Sequence, residues 1–321
     1  MNHKYSRWLT MILPMVTVAM AMCTTKPMDS VNSSHFRVAL LTPGPVSDAG
    51  WNAAAFDGLQ LVKAKLGAET AMVQTRSPTD FEDGFRDFAA RGFNLIFAHG
   101  YEYTDSAISV AREFPNTYFV VSSGSESSKN VASLTFKVDD AAYVEGIIAG
   151  GVSKSGVVGA IGGVELPSIK LTFDGFKRGF LSVHPNGRVL MSYTGKFDDL
   201  GAAKEAAQAQ INQGADVLLH DADAAGLGVF QAASQAHIFA FGAIRNQNNI
   251  APDTVLASAV TSTSRAFLKI ATEVKEHRFH TGMLEFGMAD GMVKVILNPR
   301  LESLIPPATL EKVRQAELTF H

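Results

Sequence analysis

Short apolar runs alternate with helix-spaced apolar positions from Phe36 onward, and this rhythm predicts the fold before any single residue does. Strands are expected at Arg37 to Leu41, Leu95 to Ala98, Tyr118 to Val121, Val157 to Ile161, Val189 to Tyr193, Val217 to His220, Ile238 to Phe241 and Val255 to Val260, with helices between most of them. One helix is fully signalled: Ser77, Pro78 and Asp80 supply a cap, a first-turn proline and a capping-box acid. Phe81, Phe85 and Phe88 follow at helical spacing and Gly92 closes the turn. "MLEFGMADGMVKVIL" has the alternation and Asp-Gly turn of a hairpin, and "PPATLEKVRQAEL" starts a last helix. Strands alternating with helices imply parallel sheets covered on both faces.

A weak internal repeat doubles that picture. "RGFNLIFAHG" (Arg91 to Gly100) and "QGADVLLHDA" (Gln213 to Ala222) share a helix-ending Gly, an Asn or Asp, an apolar strand and a His at or near the strand's carboxyl end. The expectation is α/β: two Rossmann-like lobes with parallel sheets joined by hinge crossovers, residues 36–138 plus 261–287 forming the N-terminal lobe and 139–260 plus 288–321 the C-terminal lobe. Hinges are expected near Phe136 to Asp140, Val260 to Thr263 and Gly287 to Gly291. A length of 321 residues with 46% hydrophobic content suits two cores. In open parallel sheets ligands collect beyond the carboxyl ends of the strands.

Lys4 and Arg7 precede an uncharged apolar run, Trp8 to Met22, that ends at Cys23. This is the pattern of an exported lipoprotein, with residues 1–23 as signal, Cys23 as the lipidated thiol and 24–35 as tether. Met22 departs from the small residue that normally precedes a lipidated Cys, so plain signal cleavage and an uncleaved anchor are the alternatives. Cys23 is the only cysteine, so no intramolecular disulfide can form. A net charge of −3, with 28 Lys and Arg scattered along the chain, provides no face for nucleic acid.

The densest chemistry lies in "VSDAGWNAAAFDGL", where an acid, an indole and an amide (Asp48, Trp51, Asn52) stand at a strand-to-helix junction. By pattern alone Asp48 is a helix cap, and Trp51 continues into Ala55, Leu59 and Val62 as a core face. His99, Gly100 and Tyr101 end a strand on the cleft side, where ligand contact, lobe contact and hinge packing are all open. Enzyme chemistry is not supported. "GVVGAIGG" lacks the Gly-x-Gly-x-x-Gly spacing, and His220, Asp221 and Asp223 have no second His nearby. No nucleophile elbow and no Cys nucleophile are present.

The stretch "SDAGWNAAAFDGL", followed in order by "GFNLIFAHGYEYTD", "VDDAAYVEGIIAGGVSKSGVVGAIGGVELPSI", "DGFKRGF", "GKFDD" and "INQGADVLLHDADAAGLGVF", resembles the basic membrane protein family of bacterial ABC-transporter solute-binding lipoproteins, which includes purine nucleoside receptors. The resemblance implies a type I periplasmic-binding-protein fold and a small heterocyclic ligand buried between the lobes. It also implies an ABC permease in the inner membrane as partner, a monomer held by a lipid anchor, no cofactor and no catalysis. It makes Trp51 and Phe197 aromatic plates either side of a flat ring, with Asp48 and Asn52 as polar readers. Ile244 then stands where nucleoside binders carry a ribose-gripping Asp, Asn246 where a second acid is usual, Thr261 in place of a lysine, and Asp223 in place of a close-approach Gly. The expected ligand is a planar heterocycle: a purine nucleoside, a nucleobase or a related compound. The rebuilt sugar end points to a free base, a modified nucleoside or a riboflavin-like vitamin rather than an ordinary nucleoside. A ligand sensor that presents its closed form to a membrane receptor is the alternative.

Overall fold

The computed structural model describes residues 35–48 and 50–320. The first half of the chain runs β1 (Arg37–Thr42), α1 (Trp51–Leu66), β2 (Glu69–Gln74), α2 (Pro78–Ala90), β3 (Leu95–His99), α3 (Thr104–Ala111), β4 (Tyr118–Ser122) and β5 (Val131–Phe136). The second runs α4 (Val138–Val152), β6 (Val157–Gly162), α5 (Pro167–Val183), β7 (Arg188–Tyr193), α6 (Leu200–Asn212), β8 (Val217–Asp221), α7 (Gly226–Gln235), β9 (Phe239–Ile244) and β10 (Val255–Thr261). Then come α8 (Thr263–Lys275), β11 (Met283–Phe286), β12 (Val293–Leu297) and α9 (Pro307–Phe320).

Two six-stranded sheets form, in the orders β11-β5-β4-β3-β1-β2 and β12-β10-β9-β8-β6-β7. Setting aside the last-added strand of each, both halves have the same strand order, as the internal repeat suggests. The central strands are apolar on both faces because each sheet is covered twice. On the first sheet α1 and α8 lie on one side, through Leu59, Val62, Phe267 and Ile270 against Phe97. On the other side α2 and α3 pack Phe81, Phe85 and Val110 against Ile96 and Phe119. On the second sheet α4, α5 and α9 cover one face and α6 and α7 the other. Burying a Phe or Leu of this kind stabilises by roughly 1.5–3 kcal/mol.

The α2 helix starts as its sequence predicts. The Ser77 hydroxyl accepts the Asp80 N–H at 3.2 Å, the Asp80 carboxylate accepts the Ser77 N–H at 3.1 Å, and Phe81, Phe85 and Phe88 are buried.

The chain passes between the sheets three times: from β5 to α4, from β10 to α8, and from β11 to β12. The last passage corrects the expected hairpin. The Asp-Gly turn is present, with Gly291 at φ 63° and the Asp290 carboxylate accepting the Gly287 N–H at 3.1 Å. However, β11 pairs in parallel with β5 and β12 antiparallel with β10, so the two strands belong to different sheets. Alternation and a turn signal specify two strands and a reversal, but not whether the strands find each other or separate neighbours. The signal, Cys23 and the tether up to Ser34 lie outside the described residues.

Candidate functional site

At the carboxyl end of β1 a Pro/Gly loop leads into α1, and Asp48 organises this junction. Its Oδ1 accepts N–H groups from Gly50 (3.0 Å) and Ala53 (2.9 Å). Its Oδ2 accepts the Asn52 backbone N–H (2.8 Å) and side-chain Nδ2–H (2.7 Å). Four donors thus fill the four lone-pair directions of one carboxylate, satisfying the backbone N–H groups of Gly50, Asn52 and Ala53 at the helix start and placing negative charge at its positive end. Asn52 is buried, and its Oδ1 has no hydrogen-bond partner among the described residues.

Trp51, half-buried, is the first residue of α1. Its indole stacks on the His99 ring at a centroid distance of 3.9 Å and 21°, and its Nε1–H donates to the His99 carbonyl at 3.2 Å. His99 answers with Nε2 3.1 Å from the Trp51 carbonyl and Nδ1 2.8 Å from the Ser122 hydroxyl. A carbonyl only accepts, so the ring carries its proton on Nε2, and Nδ1 accepts from Ser122. Burial pushes the His99 pKa down to about 3, which keeps this support under the indole neutral. Gly100 follows in extended backbone, tight against the Glu102 carboxylate. Tyr101 opens a single 3₁₀ turn with its side chain exposed.

The second lobe meets this point with Asp223. It starts a 3₁₀ turn after β8 at φ 52°, and its Oδ1 accepts the Trp51 N–H at 2.9 Å. A Cβ on Gly50 would overlap that oxygen, so glycine is what admits the carboxyl. Burial, and then the charge of Asp48, raise the Asp223 pKa to about 8, against the opposing pull of the Trp51 amide.

Phe197, half-buried, lies in the loop before α6. Its ring rests where a side chain on Gly163 would be, and its carbonyl accepts the Ala225 N–H at 2.9 Å, tying it to the Asp223 turn. Ile244 ends β9 at φ 68°, an unusual conformation for a β-branched residue and one that tends to persist at functional sites. Asn246 is exposed and its Oδ1 accepts the Asn248 N–H at 3.1 Å, shaping a turn. Arg245 reaches across to Asp57 of α1 at 2.7 Å in an exposed ion pair. The structure therefore gathers Asp48, Trp51, Asn52, His99 and Asp223 around one junction and places Phe197 one step behind, through Ala225. Tyr101 and Asn246 face solvent.

A second polar group joins Glu145, which sequence reasoning passed over, to Asp221 and His220, which it weighed only as metal ligands. Glu145 of α4 is fully buried; neither carboxyl oxygen makes a well-formed hydrogen bond among the described residues, and the Ala259 N–H is the one donor that favours its charged form. Asp221 ends β8, accepts the Thr172 O–H at 2.9 Å, and has its pKa raised to about 6 by burial. His220 is held neutral by burial, with its pKa lowered to about 4, and bonds Gln247 at 3.0 Å. The available signal was a lone acid inside the apolar run "AAYVEGIIAGG".

A family model described as ABC transporter substrate-binding protein, PnrA-like, matches residues 36–317. The chain belongs to the Bmp family. Members of this family are solute-binding proteins of ABC transporters, not enzymes, and the family is extracytoplasmic; membership implies a small-molecule ligand and a permease partner.

Relatives of this Bmp protein include a purine-binding protein of Brucella abortus, 29% identical over 262 residues that make up 81% of this chain and 74% of the relative. Another is basic membrane protein A1 of Borrelia garinii, 27% identical and covering 85% and 83% of the two chains. A solute-binding protein of an ABC transporter system from Aeropyrum pernix superposes with a TM-score of 0.81 at 20% identity, over 88% of this chain and 90% of that one, which establishes the type I periplasmic-binding fold. Among the described residues no helix is long and apolar enough to cross a membrane.

Proposed function

We propose that this protein captures a planar heterocycle of the purine base or nucleoside type between its lobes and presents the closed form to an ABC permease for import. The observation that carries the reading is the convergence of both lobes on one aromatic junction. Trp51 heads α1 with its indole backed by His99, and Asp223 of the other lobe reaches its backbone at 2.9 Å. A flat ring gains from stacking on such a plate, and buried polar groups then reject rings that lack the matching donors and acceptors. Asn52 Oδ1, buried without a partner, supplies one acceptor. The Phe197 ring supplies the opposing apolar surface from the second lobe, and the name of the Brucella relative favours purines.

The ribose end of a nucleoside has little to hold in Ile244 and Thr261, so a free base or a base with a modified sugar is favoured over inosine, guanosine or adenosine. Export with lipid attachment at Cys23 would hold the clamp beside the permease. The deciding experiment is mass spectrometry of small molecules released when the purified protein is denatured, followed by calorimetry with the compound found. Tight binding of an ordinary nucleoside would refute the assignment of the sugar end, and a released compound without a flat ring would refute the clamp.

A further inference from the structure

In a parallel sheet every strand starts at one pole of its lobe, and the helices that run back between the strands end at the same pole. At this pole of the first lobe α1 closes with Lys63 and Lys65 in its last turn, and α8 closes with Lys275, whose ammonium donates to the Leu66 carbonyl at 2.8 Å and so ties the two helix ends together. All three lysines are exposed, and among the described residues none of them has a carboxylate partner. The neighbouring acids are already taken: Glu69 by Arg37, Asp87 by Arg91, Glu273 by Lys269 and Glu276 by Arg278. Cations suit helix carboxyl ends in general. Yet α4, α5, α6 and α7, which end at the corresponding pole of the second lobe, have no basic residue in the last turn. The helix dipole acts on both lobes alike, so it does not account for lysines on one of them. This free positive charge belongs to a single pole of a chain whose net charge is −3.

The same pole receives the chain from its N-terminal segment. The Phe36 carbonyl accepts the Glu69 N–H at 2.9 Å, which puts His35 beside the turn that follows α1. We infer that the face formed by Lys63, Lys65 and Lys275 rests on anionic phospholipid headgroups of the membrane to which the chain is attached. Residues 24–34, between Cys23 and His35, span at most about 40 Å when fully extended, so attachment at Cys23 keeps this pole within reach of the headgroups. Each lysine brought to an anionic surface favours contact roughly fivefold, and three together favour it roughly a hundredfold. The helix that carries two of the lysines also sets the direction of the cleft. Trp51 heads α1 and Lys65 lies in its last turn, and 16 residues make a rod of roughly 24 Å. The aromatic junction therefore stands away from the headgroups, open to solutes, while the lysine end lies on them. The inference rests on the lipid attachment at Cys23 for its reach and is independent of which solute binds.

The test uses the full-length protein with vesicles of phosphatidylcholine, with and without phosphatidylglycerol. It reads the rate at which each lysine is acylated by a water-soluble amine reagent, resolved by peptide mass spectrometry. Lys63, Lys65 and Lys275 should react at least about fivefold more slowly on the anionic vesicles than on the neutral ones, whereas Lys154, Lys177 and Lys312, exposed on the second lobe, keep their rates. The protection should disappear in 1 M NaCl, where the screening length falls to about 3 Å. The double variant Lys63→Gln, Lys65→Gln alters two exposed sites and should restore the Lys275 rate on anionic vesicles. Equal rates on the two kinds of vesicle overturn the proposal, as does protection shared by the second-lobe lysines or a slow Lys275 that persists in the double variant. Flotation with neutral vesicles reports on N-terminal attachment separately. Heterocycle binding needs only the cleft and should be the same in the double variant as in wild type.

Discussion

Asp223 and Trp51, 172 residues apart and on different lobes, are joined by a 2.9 Å hydrogen bond from the Trp51 backbone N–H to Asp223 Oδ1. The same N–H is among the free donors of the α1 start that Asp48 does not cap, so Asp223 completes the helix terminus from across the cleft. Opening the lobes must break this bond and return the donor to water or to a ligand.

Gly50 makes that approach possible, because a Cβ there would overlap Asp223 Oδ1. Gly50 itself has φ −134° and ψ −116°, outside both the β and the α regions open to residues with a Cβ. Gly50→Ala should therefore hold the lobes apart and lower the thermal midpoint by a few degrees. Small-angle scattering should show a larger radius of gyration than wild type, and ligand affinity should fall at least tenfold. A variant as compact as wild type would show that the contact does not govern closure.

Trp51→Ala removes the stack on His99 and the Nε1–H bond to its carbonyl, a loss of about 1–2 kcal/mol for a half-buried ring. The midpoint should drop by a few degrees and saturable ligand binding should vanish in calorimetry. Trp51→Phe keeps a ring and should retain part of the affinity. Intact binding in Trp51→Ala would assign the indole to packing alone.

The central strands and the two-lobe plan were legible because parallel strands buried on both faces read as apolar runs between amphipathic helices. Two strands escaped notice. "ETAMVQ", Glu69–Gln74, is a sheet edge with both ends exposed, and "VASLTF", Val131–Phe136, carries Ser133 and Thr135 among its apolar residues. Neither gives a continuous apolar run. At the site, the sequence allows Asp48 to be both cap and reader, and the structure places three backbone N–H groups of the cap and the Asn52 amide on its carboxylate. Glu145 was invisible because a single acid in an apolar helix becomes informative only when its neighbours in space are known.

Ser77 provides a control away from the cleft. Ser77→Ala loses the bond to the Asp80 N–H and one side of the capping box, at a cost of about 1 kcal/mol. The midpoint should fall by roughly 2–4 °C, with ligand affinity unchanged. An altered affinity would mean that α2 is coupled to the cleft.

Closure should weaken as pH rises, and the direction follows from Asp223. Its pKa is raised from 3.8 to about 8 in the closed arrangement, by burial first and the Asp48 charge second, with Asp221 adding to the same effect and the Trp51 amide opposing it. A carboxyl with a raised pKa favours the state that keeps its proton. The closed arrangement is thus fully stabilised below about pH 4, and the advantage is lost as pH climbs through about 8, by at most about 1.4 kcal/mol per pH unit. The chain has two tryptophans, so Trp8→Phe leaves Trp51 as sole reporter. Its emission should shift toward the solvent-exposed value between pH 6 and 9 in that background, as the indole leaves the junction. Asp223→Asn stays neutral across the range and should flatten the titration, whereas the slower contributions of the buried Asp221 and Glu145 should persist in both proteins. An identical titration with and without Asp223→Asn would remove this carboxyl from the control of closure.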